Sequence, residues 1–205
     1  MKAAKWRSKG PRIEGAKEEK RMLLLKTAAR MFNEDGYDRT SLTNIANRLG
    51  ITKPSLYYYV KNKEEILFLI SKVILDELKG TLDSIGSEYA TGREKLRAFI
   101  TEYIRLIRTD FGKCLVTPND MPLSEDSRNV LQKSKKYLDQ AARAMIMEGI
   151  KDGSLVTSSP KFSTFSIFGA INWMCFWYRE DGGTSIEEIT ENILDLFMKG
   201  LEPRQ

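Results

Sequence analysis

The sequence predicts an all-helical chain of about nine helices, divided into a small N-terminal part and a larger C-terminal part. Three observations predict it. Apolar residues recur at three- and four-residue spacing along most of the chain, and no stretch alternates apolar and polar residues as a strand would. Helix-capping residues punctuate the intervals. The 205 residues allow one or two domains with a core of ordinary size.

Each element follows in order. The first helix is expected over 18–35, with Leu24, Leu25, Ala28, Ala29 and Phe32 as its apolar face and Gly36 as its end. Glu18 and Glu19 occupy its first turn, where the helix dipole favours negative charge. Ser41 caps a second helix whose inner face is Leu42, Ile45, Ala46 and Leu49. Gly50 can take the left-handed conformation that turns the chain. Thr52 caps a third helix, with Pro54 in its first turn and Leu56 pointing inward. Asn62 caps a fourth, with Glu65 as its capping-box partner, and apolar positions from Ile66 to Leu78 carry it to about Ile85. Gly80 weakens that helix and Gly86 is the expected stop. Thr91 and Glu94 open a fifth over 92–109. Gly112, Pro118 and Pro122 leave 110–125 as a short helix at best and then a loop. Later helices are expected over 125–151, from Pro160 to Tyr178, and after a capping box formed by Ser185 and Glu188.

Residues 40–63 carry the functional signal. Two short helices around a glycine turn, with basic and hydroxyl-bearing side chains along the second, can lay one helix in the major groove of DNA. Thr52, Lys53, Pro54, Ser55, Tyr57 and Tyr58 fall on the outer side. Thr52 and Ser55 can hydrogen-bond phosphate oxygens, and Lys53 can meet a phosphate or guanine O6 and N7. Tyr57 and Tyr58 each offer a hydroxyl and a flat apolar surface, suited to a phosphate and a thymine methyl. Thr40 and Ser41 are expected to meet the phosphate backbone from the start of the second helix. The competing reading is a structural hairpin with a solvated face, but Ala46, Gly50 and Leu56 all fall where the sharp turn needs them.

Charge agrees with a nucleic-acid partner. Residues 1–63 hold 15 Lys and Arg against 6 Asp and Glu, a net of +9, while the remainder is net −4. Residues 1–17 form a basic, disordered arm able to add phosphate or minor-groove contacts, or simply to solubilise. No apolar run reaches the length of a membrane span and no signal peptide is recognisable, so no membrane association and a cytoplasmic location are expected. The chain has no histidine, which excludes histidine-based acid–base chemistry and argues against zinc. Phosphate-loop and serine-nucleophile motifs are also missing, so an enzyme is not expected, nor any cofactor or metal. Cys114 and Cys175 stand in no metal-binding spacing, and Cys175 reads as a small core residue.

Residues 18–67 resemble the DNA-binding domain of the TetR family of bacterial transcriptional regulators. The matching residues are Ala28 to Phe32, Gly36-Tyr37, Thr40-Ser41-Leu42, Ile45-Ala46, Leu49-Gly50-Ile51, Ser55 to Val60 and Lys61 to Leu67. The resemblance implies a helix-turn-helix domain over 18–64 and a helical ligand-binding and dimerisation domain over 65–205. It implies a homodimer, paired through the last two helices, that binds double-stranded palindromic operator DNA and releases it when a small hydrophobic effector enters. It also implies that Tyr57 and Lys63 clamp the DNA backbone. A second, shorter resemblance runs from Gly169 to Trp173, through Trp177 to Arg179, and on to Phe197–Leu201. It is to the TetR-type regulators of fatty-acid and sterol degradation, whose ligands are acyl-coenzyme A thioesters. That likeness implies an acyl chain among Phe99, Tyr103, Met145, Phe168 and Trp173, bordered by Trp177, with Arg179 meeting the phosphates. Asn172 lies beside so much apolar surface that it needs a polar partner. Met174-Cys175-Phe176 is apolar where that branch often carries basic residues, which keeps a free fatty acid, an aromatic compound or a hydrophobic drug as alternatives. An architectural DNA-binding protein without an inducer, and a helical lipid or acyl carrier, are the rival readings.

Overall fold

A computed structural model describes residues 13–116, 123–179 and 181–201. Nine helices and no strand occur among them: α1 (Ile13–Asp35), α2 (Leu42–Leu49), α3 (Lys53–Tyr57), α4 (Lys63–Glu88), α5 (Gly92–Ile107), α6 (Asp110–Val116), α7 (Glu125–Lys151), α8 (Pro160–Trp177) and α9 (Ile186–Gly200). Of the basic arm expected over 1–17, residues 1–12 lie outside the described residues. Residues 13–17 are not an arm but the first turns of α1, which begins at Ile13 rather than Glu18. Of the loop expected after Gly112, residues 117–122 lie outside the described residues.

The N-terminal head is α1 to α3 with the start of α4. Leu24, Ala28, Ile45, Ala46 and Leu56 are almost wholly buried at its centre. The caps form as the residue types require. Ser41 Oγ accepts from the Asn44 amide, Thr52 Oγ1 from Ser55 and Asn62 Oδ1 from Glu65. Gly50 is left-handed at φ 68°, and the next amide, of Ile51, returns to the Ala46 carbonyl at 3.0 Å.

α4 leaves the head and runs through the body. It does not stop at Gly86. Gly80 and Gly86 are both exposed, and burial of Leu82 and Ile85 beside them outweighs their low helix propensity. α5 and α7 pack closely enough for their backbones to touch. A Cβ on Gly92 would stand 2.0 Å from the Gly149 nitrogen and 2.4 Å from the Met145 carbonyl. The Asp152 carboxylate fixes the same junction, accepting from the amides of Gly92 at 2.8 Å and Ser154 at 2.9 Å. A hydrogen bond from the Ser154 side chain first, and then those from the Gly92 and Ser154 amides, hold its carboxyl below the usual range. α6 is wedged between head and body. Arg30 faces Asp110 at 3.5 Å, and the Asn33 amide donates to the Asp110 carbonyl at 2.9 Å.

Candidate nucleic-acid interface and effector site

The outer face of the head is built by α3 and the starts of α1 and α2. Lys53, Pro54, Ser55, Tyr57 and Tyr58 all project outward from α3, as does its cap Thr52, while Leu56 anchors the helix underneath. Tyr58 is 63% exposed, with only the edge-on Tyr59 ring, 5.1 Å away, packed against it from α3 and its flank. Lys53 Nζ lies 6.0 Å from the centre of the Tyr57 ring, and Lys17 Nζ 4.6 Å from that of Tyr58. Ser41 is exposed beside them, its hydroxyl donating to Asn44 Oδ1. A positive, hydroxyl-rich strip with two flat rings thus lies on one surface.

Two of the expected contacts are placed differently. Thr40 is only 1% exposed, and its hydroxyl donates to the Gly36 carbonyl at 2.9 Å, so its side chain closes the end of α1 instead of facing a phosphate. Lys63 does not reach outward. Its Nζ donates to the Tyr37 carbonyl at 2.8 Å and lies 3.4 Å from that of Asp38 and 4.1 Å from the centre of the Tyr37 ring. An ammonium has three N–H donors, so a phosphate can share this one without displacing the Tyr37 carbonyl. Lys17 was legible only as part of an arm. The helical run from Ile13 brings it beside Tyr58, and because residues 17–21 are all charged no apolar periodicity announced that helix in the sequence.

In the body, three rings meet between α5 and α8. Phe99 and Tyr103 stack at 5.9 Å, and Phe168 stands edge-on to them at 6.0 and 5.0 Å. The Tyr103 hydroxyl donates to Asn172 Oδ1 at 2.7 Å, which is the partner that Asn172 required. Burial, together with the nearby Cys175, raises the Tyr103 pKa well above its ordinary value, so the phenol stays neutral. Met145 is buried on α7, where its carbonyl faces Gly92. Trp173, Trp177 and Arg179 do not join this group. All three are exposed, because Ile167, Ile171 and Met174 fill the inward side of α8. Phe162, Phe165 and Phe176 are exposed with them, around Gly169 and Ala170. Leu196 of α9, at 69%, is exposed too.

Residues 24–70 match the family model described as bacterial regulatory proteins, tetR family. Residues 89–201, more than half of the chain, match that of the tetracyclin repressor-like C-terminal domain. The chain belongs to the TetR family. Like other TetR proteins it is a ligand-responsive, DNA-binding transcriptional regulator and not an enzyme. Among its relatives, the fatty acid metabolism regulator protein of Bacillus subtilis is 24% identical over 192 residues, covering 90% of this chain and 97% of that one. The HTH-type transcriptional repressor KstR2 of Rhodococcus jostii is 24% identical over 188 residues, covering 90% and 92%. Among solved structures, AibR in complex with isovaleryl coenzyme A and operator DNA superposes with a TM-score of 0.78 at 25% identity, covering 86% of this TetR chain and 96% of AibR. No helix among the described residues is long and apolar enough to cross a membrane.

Proposed function

We propose that this TetR regulator is a homodimeric repressor of a palindromic operator, released by an acyl-coenzyme A thioester. The observation that carries the reading is the outer face of α8. Phe162, Phe165, Trp173, Phe176 and Trp177 form an exposed apolar surface too large for a helix that ends in water, and Gly169 and Ala170 allow a second copy of α8 to approach closely. Two heads in one dimer read two half-sites one helical turn apart. Within each head, Lys53, Ser55, Tyr57 and Tyr58 face the groove, and Ser41, Thr52, Lys63 and Lys17 hold phosphates.

The effector enters at the Phe99, Tyr103 and Phe168 cluster, parting α5 from α8, with the Tyr103–Asn172 pair as a polar fixed point beside the acyl chain. Arg179, exposed just after α8, is the cation assigned to the charged headgroup in this reading. The acyl-coenzyme A class is favoured by the likeness to the fatty acid metabolism regulator protein of Bacillus subtilis and to the isovaleryl coenzyme A complex of AibR. Release requires the effector to prefer a body conformation in which the heads no longer match the operator. Operator titration with and without a saturating series of acyl-coenzyme A thioesters tests it. Affinity should fall at least tenfold for one chain length, and unchanged affinity across the series would reject the effector class.

A further inference from the structure

Arg39 belongs to the turn after α1 and Lys113 to α6, yet both line one cavity of about 330 Å³ where the head meets the body. Small-molecule sites occupy about 300–1,000 Å³, so the space suffices for a small ligand. Its lining divides by chemistry. Phe32 and Tyr37, whose rings stand 5.0 Å apart and 54° to each other, supply a flat apolar wall, and Leu67 of α4 adds to it. Cys114 of α6 and Cys175 of α8 line the cavity as well. Burial pushes Cys114 up to about 12 and Cys175 up to about 11, so both are uncharged thiols and behave as small apolar groups. Glu34 is the acid of the lining, and it is exposed to water, which screens it.

The two cations are placed to receive an anion. Arg39 Nε donates to the Asp35 carbonyl at 2.6 Å, which pins the guanidinium against the turn and leaves its remaining N–H donors for a carboxylate, the group their fork matches. The positive charge of Lys113 lowers the pKa of Cys175, which sets the ammonium beside that sulfur. An ammonium has three N–H donors, so Lys113 can take a carboxylate in addition to its present contacts. We propose that this cavity binds a small aromatic carboxylate, its ring against Phe32, Tyr37 and Leu67 and its carboxylate held by Arg39 and Lys113. Two cations against one acid leave the lining a single positive charge, which suits a monoanion. The aromatic wall selects a ring over a bare inorganic ion. Such a ligand joins the turn of the head to α6 of the body. Phe99, Tyr103 and Phe168 are not part of this lining, so the site is separate from the acyl cluster and does not depend on the operator or effector reading.

Benzoate is the probe. Benzamide supplies the ring without the charge, and inorganic phosphate the charge without the ring. Calorimetric titration of the full-length protein should show one benzoate per protomer with a Kd of about 1 mM or tighter. Arg39→Gln and Lys113→Gln should each weaken benzoate about tenfold, the loss of one charge-assisted hydrogen bond. Benzamide and phosphate should bind the wild type at least tenfold more weakly than benzoate. Equal binding of either control, indifference to either substitution, or no saturable benzoate binding overturns the proposal. Should a variant fail to fold, a crystal structure of the wild type grown with benzoate decides alone. A ring against Tyr37 with its carboxylate on Arg39 and Lys113 supports the site, and a cavity without benzoate refutes it.

Discussion

Lys63 and Glu64 are adjacent in the first turn of α4 but hold opposite parts of the molecule. Lys63 Nζ grips the Tyr37 carbonyl of the head at 2.8 Å, while Glu64 Oε1 accepts from the Ser124 amide, the cap of α7 in the body, at 2.6 Å. The first turn of α4 is thereby a joint between the two.

The Glu64 half of this joint is pH-dependent. Hydrogen bonds from Ser124, that of its amide first, hold the Glu64 carboxyl below its ordinary value of 4.5. A lowered folded-state pKa stabilises above the unfolded value, and the contribution is lost as pH falls through the folded one. Glu64→Gln should therefore melt below the wild type at pH 7, and the gap should close as pH falls below 4.5. Paired thermal melts across that range check it; a gap independent of pH would assign the effect to something other than the charge.

Lys63→Met should weaken binding to every DNA sequence alike and reduce the slope of log affinity against log salt by about 1, the signature of one lost phosphate contact. Tyr58→Ala should instead relax preference at a single base position. Fluorescence titrations over a range of salt, on operator and scrambled duplexes, separate the two.

Tyr103→Phe removes the donor from a buried pair and leaves Asn172 Oδ1 without its partner. The expected cost is about 1–3 kcal/mol in urea unfolding. Restoring the wild-type value with Tyr103→Phe and Asn172→Leu together would identify the hydrogen bond, and not ring packing, as the source.

Gly92→Ala should cost about 3 kcal/mol or more, because the added carbon meets backbone of α7 that cannot move aside. Gly86→Ala is the internal control. It lies in open space on α4 and should stabilise slightly, which the same denaturation experiment reads.

Trp173→Asp combined with Phe176→Asp should turn the dimer into monomers in sedimentation, leave helix content intact, and reduce operator affinity by at least tenfold because each monomer holds a single half-site. A dimer that survives both substitutions would place the interface elsewhere.

Much of this was legible locally. Ser41, Thr52, Asn62, Thr91 and Ser185 each cap a helix through hydrogen bonds spanning three residues, a range at which sequence alone is decisive. Gly50 was legible for the same reason. The differences lie in how the chain folds back on itself. The Thr40 hydroxyl suits a phosphate, and only the turn after Asp35 shows that the Gly36 carbonyl at the end of α1 takes it. α8 is apolar on every side, so its periodicity does not say which rings face inward; the packing of α5, α6 and α7 against it decides that Phe168 goes in and Trp173 stays out. Cys114 and Cys175 could not be paired from spacing, because a tertiary contact brings them to one cavity.

α4 passes from head to body as one uninterrupted rod of 26 residues. At about 1.5 Å per residue it is ~39 Å long, so tilting one end through five degrees displaces the other by roughly 3 Å. A displacement of that size, mirrored in a twin, would change the gap between two reading heads by about the spacing of two base pairs. A modest swelling of the interior could then put a matched pair of heads out of step with its site.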